Sequence, residues 1–166
     1  MDERSRTKTR VAIDTAPRRA AWVGDAACAW AFLFAIAHFY WALGGCAGFP
    51  VEACEAGLSN TWFLAYDLDA GVLCVLGAVI ALALVRPWGR MIPRRTLLVL
   101  AWIGGAALLL RGVVGLVQDV LIVVGPGNGW YPTMLYDPWF LVGGVLFCAA
   151  AHRYDCESRE VRVKWT

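Results

Sequence analysis

The sequence predicts an all-α integral membrane protein, a four-helix bundle with short loops and both chain ends in the cytoplasm. Three observations carry this. Hydrophobic residues make up 60% of the 166, with a mean hydropathy of +0.57, whereas a soluble domain is about half apolar. The excess is gathered into four long runs, each near the roughly 20 residues that a helix needs to cross a bilayer. Finally, the basic residues alternate sides. Arg4, Arg6, Lys8, Arg10, Arg18 and Arg19 precede the first run; Arg86, Arg90, Arg94 and Arg95 separate the second and third; Arg153, Arg159, Arg162 and Lys164 follow the fourth. The other two connections carry no Lys or Arg. By the positive-inside rule the N-terminal tail, the middle loop and the C-terminal tail are cytoplasmic, at the plasma membrane. The charges sit on tails and flanks with no folded module to present them, which argues against nucleic acid as a partner.

Residues 1–20 read as a disordered basic tail. The first span runs over about 21–44; an outer loop, 45–60, leads to the second, about 61–85. A short proline-bearing connection with Pro87 and Pro93 leads to the third span, about 96–124. That span is long for one crossing, so tilt or an extension past the bilayer is expected. The loop 125–136 is rich in turn residues, the fourth span is about 137–152, and 154–166 form a second cytoplasmic tail. Trp62, Trp130, Tyr131, Tyr136 and Trp139 fall near the outer boundary, and Trp22 and Trp88 near the inner one, as expected of interfacial anchors. The first span is too long for the core of a cleaved signal peptide and is read as retained.

Six cysteines are present. Cys46 and Cys54 share the first outer loop, where an oxidising environment would allow a disulfide. Cys28, Cys74 and Cys148 read as small packing residues, and no cysteine pair has the spacing of a zinc site. No nucleotide, dinucleotide, serine-hydrolase or zinc-protease motif occurs, so neither a cofactor nor a metal is expected.

The informative residues are the ionisable ones inside the apolar runs, because each costs several kcal/mol unless it is paired or faces a cavity. These are Asp25, His38, Asp67, Asp69, Arg111, Asp119 and Asp137, with Gln118 beside them. Most lie toward the outer half, with Arg111 nearer the middle and Asp25 near the inner end. Helical spacing puts His38 on a stripe with Ala31, Ala35, Ala42 and Gly45, and Asp67 on one with Gly71, Cys74, Ala78 and Ala81. Arg111 falls with Gly104, Ala107, Gly115 and Gln118. Small residues mark close helix contacts in membranes, so each polar group is expected to point inward. Asp69 lies about 200° round from Asp67 and faces away.

Two arrangements remain open. In one, Arg111 pairs with Asp67 or Asp119 and His38 is hydrogen-bonded nearby, fixing helix register. In the other, a polar pocket opens outward, lined by His38, Tyr40, Trp41, Asp67, Arg111 and Asp119. There Asp67, Asp119 and His38 would be the acid–base residues, and Tyr40, Trp41, Arg111 and Gln118 the substrate-binding ones.

The segment His38-Phe39-Tyr40-Trp41-Ala42-Leu43-Gly44-Gly45 resembles the H-x-Y-W-A-L-G-G signature of an uncharacterised bacterial family of small four-span proteins, classed as a domain of unknown function. Length, the four runs and the arginine of the third span are similar too, over about residues 20–153. The resemblance implies the fold and topology but no reaction. The loop bearing Cys46 and Cys54 and the tail after Tyr154 have no counterpart in it.

Three functions follow from these residues. The protein could bind, or isomerise or cyclise by acid–base chemistry, a small lipid-soluble molecule. It could be a small transporter or transporter subunit with a proton or ion relay, which would need a homodimer. It could also be a structural membrane subunit whose polar groups only specify packing. Membrane lipid is a partner in every case.

Overall fold

The computed structural model describes residues 21–49, 51–124 and 133–163. The basic tail 1–20 and Trp130 and Tyr131 of the turn-rich loop lie outside them. Five α-helices occur in chain order: α1 (Ala21–Ala42), α2 (Val51–Leu58), α3 (Thr61–Val85), α4 (Arg94–Val124) and α5 (Thr133–Val163). A 3-10 turn at Pro87–Met91 joins α3 to α4. No strand occurs among the described residues. The short α2 was not anticipated; it lies inside the loop 45–60. Asn60 starts α3, its side-chain oxygen accepting from the amide of Trp62 at 3.0 Å, which satisfies one of the otherwise orphaned first-turn donors.

The four long helices are all-α architecture, and α1, α3 and α4 are each long and apolar enough to cross a membrane. The fourth, α5, has Asp137 near its start and His152, Arg153 and Asp155 further along. It continues as helix to Val163, through the stretch expected to be a tail.

The bundle is built from two helical hairpins. α1 packs along α3, α4 packs along α5, and the hairpins meet chiefly where α1 touches α5. Ion pairs follow the same division. Within the first hairpin His38 meets Asp67 and Arg86 meets Asp25; within the second, Arg111 meets Asp137 and Arg94 meets Asp155. Each hairpin is thus clipped near both ends, while one hairpin is joined to the other by apolar contact and by the hydrogen bond that Trp30 Nε1 donates to the Trp139 carbonyl at 3.2 Å. Val23, Ala83, Leu84, Leu97, Ala101 and Tyr154 form a cluster at the Arg94 end. Ala27, Trp30, Ala31, Phe34, Ala78, Ala81 and Phe147 form the middle.

On α1 and α3 the buried faces carry the small residues of the expected stripes, with Ala31, Ala35 and His38 on one helix and Asp67, Gly71, Ala78 and Ala81 on the other. On α4 the buried face is different. It runs through Leu97, Ala101, Gly105, Gly112, Gly115 and Asp119, while Ala107, Arg111 and Gln118 are exposed. α4 offers two small stripes side by side, and residue size alone does not say which meets α5. The close approach decides it: a side chain at Gly105 would strike Cys148, and one at Gly112 would strike Leu141.

Trp41 and Tyr136 touch, with ring centroids 5.3 Å apart, so the end of α1 and the start of α5 lie at one level. Gly115 of α4 faces Asp137 there. α5 begins four residues before Asp137 and so reaches to about the level of the buried Asp119; residues 120–124 run on past it by roughly 8 Å at 1.5 Å per residue.

Candidate functional site

His38 lies one turn before the end of α1, and Asp67 lies two turns into α3. The antiparallel packing of the hairpin brings them face to face. His38 Nδ1 is 2.8 Å from Asp67 Oδ1, and the two residues are only 4% and 2% exposed. Opposite an ionised carboxylate, which can only accept, Nδ1 would be the donor and Nε2 the nitrogen left for other chemistry. The second carboxylate oxygen, Asp67 Oδ2, is buried with no hydrogen-bond partner among the described residues. A buried acceptor left this way is costly.

Aromatic rings enclose the imidazole. Phe34, Trp41 and Tyr66 stand edge-on to it, with centroids 4.7, 5.4 and 6.0 Å away. Phe34 is one turn before His38 and Trp41 nearly one turn after it, so α1 itself supplies two of the walls. The loop after α1 closes the end of the cage. Trp41 Nε1 donates to the Ala47 carbonyl at 2.9 Å, and the Ala47 amide donates to the Tyr40 hydroxyl at 3.3 Å. Phe49 packs on Trp41 at 5.2 Å. Cys46 and Cys54 are disulfide-bonded, which ties the loop to α2. Gly44 and Gly48 have φ of +94° and +90°, a conformation that a side chain would strain.

The second polar centre is Arg111 with Asp137. Arg111 Nη1 donates to Asp137 Oδ1 at 2.7 Å, and its guanidinium lies 4.8 Å above the Phe140 ring. This replaces the expected partners Asp67 and Asp119. The reason is positional: Arg111 is on the flank of α4, and its long stem reaches Asp137 across the α4–α5 contact. Asp137 is buried against Gly115. The two centres are connected through apolar rings, since Phe140 also packs on Phe34 at 5.1 Å.

A cavity of about 270 Å³ opens on the side of the bundle between α1 and α5, lined by Leu33, Phe34, Ala37, Trp41, Tyr136 and Trp139. It differs from the polar pocket expected from the sequence. Of that pocket's residues it contains only Trp41. His38 and Asp67 lie behind its Phe34 and Trp41 walls; Asp119 is on the buried face of α4, and Tyr40 and Gln118 are exposed. Sequence reasoning missed Phe34 as a wall and Tyr136 and Trp139 as more than anchors. A signal existed: Trp30, Phe34 and Trp41 follow helical spacing on the stripe beside His38. No group of three or more metal-binding side chains occurs among the described residues.

A family described as protein of unknown function (DUF3995) matches residues 31–147. The chain belongs to this family. The matched segment contains both polar centres, every residue lining the lateral cavity and the whole of His38–Gly45. It excludes the part of α5 that carries Asp155. No curated protein and no solved structure matches the chain.

Proposed function

We propose that the protein, embedded in the cell membrane with both termini cytoplasmic, holds a small lipid-soluble molecule in the α1–α5 cavity and acts on it by acid–base chemistry through His38 and Asp67. The observation that carries this reading is the buried His38–Asp67 pair directly behind two walls of an apolar cavity. The cavity volume suits part of a small apolar ligand, and its position on the flank of the bundle gives entry from lipid. Asp67 would hold Nδ1–H and stabilise the imidazolium. Nε2 would then take a proton from one carbon of the substrate and return it at another, an isomerisation that consumes no co-reactant. Phe34 or Trp41 must turn aside for this contact, because both stand between ligand and imidazole.

A relay across the membrane fits less well. The apolar cluster of Trp30, Ala31, Phe34, Ala78, Ala81 and Phe147 lies between the Asp25–Arg86 pair and the His38–Asp67 pair. A purely structural role has one observation in its favour, the clipping of each hairpin by ion pairs. The occupancy test separates it. Ala37→Phe fills the cavity and leaves both members of the pair in place. Lipids extracted from purified wild type should include a small apolar species that is absent from the Ala37→Phe protein. Identical lipid profiles from the two would overturn the reading.

A further inference from the structure

On the side of the bundle opposite the α1–α5 cavity, α3 and α4 are in contact. Leu97, Ala101, Gly104, Leu108 and Arg111 form one stripe of α4, at the three- and four-residue spacing of a helix face. At the Arg94 end this stripe meets α3, where Leu97 and Ala101 cluster with Ala83 and Leu84. One turn further Gly104 faces open space, with no atom within 4 Å of where a side chain would start. Leu108 packs on the central cluster. Arg111 follows, and its side chain keeps 43% exposure. Past its contact with α3 the stripe thus leaves a gap over Gly104, followed by Leu108 and, at its far end, by the partly exposed Arg111.

The charge of Arg111 is balanced by Asp137, but its hydrogen-bonding capacity is not used up. A guanidinium has five N–H donors, and among the described residues one side-chain hydrogen bond of Arg111 is made, to Asp137. Donors left facing hydrocarbon must find an acceptor. Asp137 lies four residues into α5, near the end of the bundle marked by Trp41 and Tyr136. That depth is within reach of lipid headgroups. Because the ion pair is neutral as a whole, it favours an oxyanion carried by a group of low net charge over a free multivalent anion.

We infer that the α3–α4 gap is a phospholipid site. The lipid phosphate accepts from the unused N–H groups of Arg111, and an acyl chain lies along the gap over Gly104. This inference is independent of the chemistry assigned to His38 and Asp67, because it concerns the other side of the bundle.

The test is native mass spectrometry of the full-length protein in detergent, titrated with phosphatidylethanolamine. Diacylglycerol with the same chains and inorganic phosphate are the control probes. Wild type should bind one phosphatidylethanolamine, with neither diacylglycerol nor phosphate competing at equal concentration. Arg111→Lys keeps the ion pair but loses the planar fork and should weaken binding about tenfold or more. Gly104→Leu keeps Arg111 and Asp137 and fills the gap; it should abolish retention while leaving the thermal midpoint within a few degrees. Should Arg111→Lys unfold, Gly104→Leu alone decides. Equal binding by diacylglycerol, displacement by inorganic phosphate, or unchanged retention in Gly104→Leu would each overturn the inference.

Discussion

His38 Nδ1 and Asp67 Oδ1 meet at 2.8 Å in a place where neither side chain keeps more than a few per cent of its exposure. Two ionisable groups have been taken out of water together, and each is tolerable only because of the other. Asp67→Ala would leave a buried imidazole unpaired, and the expected loss is about 3–5 kcal/mol of stability. Asp67→Asn keeps an acceptor for Nδ1–H and should cost about 1–2 kcal/mol. Thermal unfolding in detergent measures both. Equal stability of wild type and Asp67→Ala would mean that the pair does not form.

Arg111 is paired with Asp137 and not with the expected Asp67 or Asp119. A double-mutant cycle between Arg111→Ala and Asp137→Ala should give an interaction energy of about 1–3 kcal/mol. The corresponding cycle with Asp67→Ala should add to within about 0.5 kcal/mol. A larger coupling to Asp67 would contradict the assigned pairing.

Gly115 and Gly104 are two glycines of one helix with opposite surroundings. A side chain at Gly115 would collide with the Asp137 carboxylate, whereas one at Gly104 meets nothing within 4 Å. Gly115→Ala should therefore destabilise by about 1–3 kcal/mol through overpacking. Gly104→Ala should be neutral or slightly stabilising. The order of the two melting temperatures is the readout.

Reduction of the Cys46–Cys54 disulfide should loosen the loop that covers the cage. Closing a loop of this length restrains the unfolded chain by about 2.5 kcal/mol. Trp41 donates to Ala47 within the tethered segment, so reduction should expose it. Increased quenching of tryptophan fluorescence by acrylamide, absent in the Cys46→Ala/Cys54→Ala double variant, checks this.

The fold was legible because hydrophobic run length and small-residue spacing are properties of each helix alone. The inward faces of α1 and α3 could be read in this way, with His38 and Asp67 on them. Their similar depth could be read too, because each lies six residues inside the end of its span; that Asp67 pairs with His38 and not with Arg111 depends on how all four helices are offset, which no single segment encodes. α4 failed for a related reason. Its adjacent small residues, Gly104–Gly105 and Ala106–Ala107, make two equally plausible interfaces. Only the packing of Gly105 against Cys148 and Gly144 selects one. Asp137 was visible as an intramembrane carboxylate, but its partner is set by how far α5 slides along α4. The lateral cavity is likewise a property of the α1–α5 contact and of no single segment.

The central claim is that His38 and Asp67 move a proton on a lipid-soluble substrate. Its most direct test is solvent-deuterium incorporation. Membranes containing the protein are incubated in deuterium oxide, and extracted lipids are analysed by mass spectrometry for carbon-bound deuterium. The account predicts a lipid-soluble species that gains deuterium with wild type, at a rate reduced about a hundredfold or more in His38→Gln and Asp67→Asn. A cavity occupied in wild type whose ligand gains no deuterium, or gains it equally in both variants, would contradict the account.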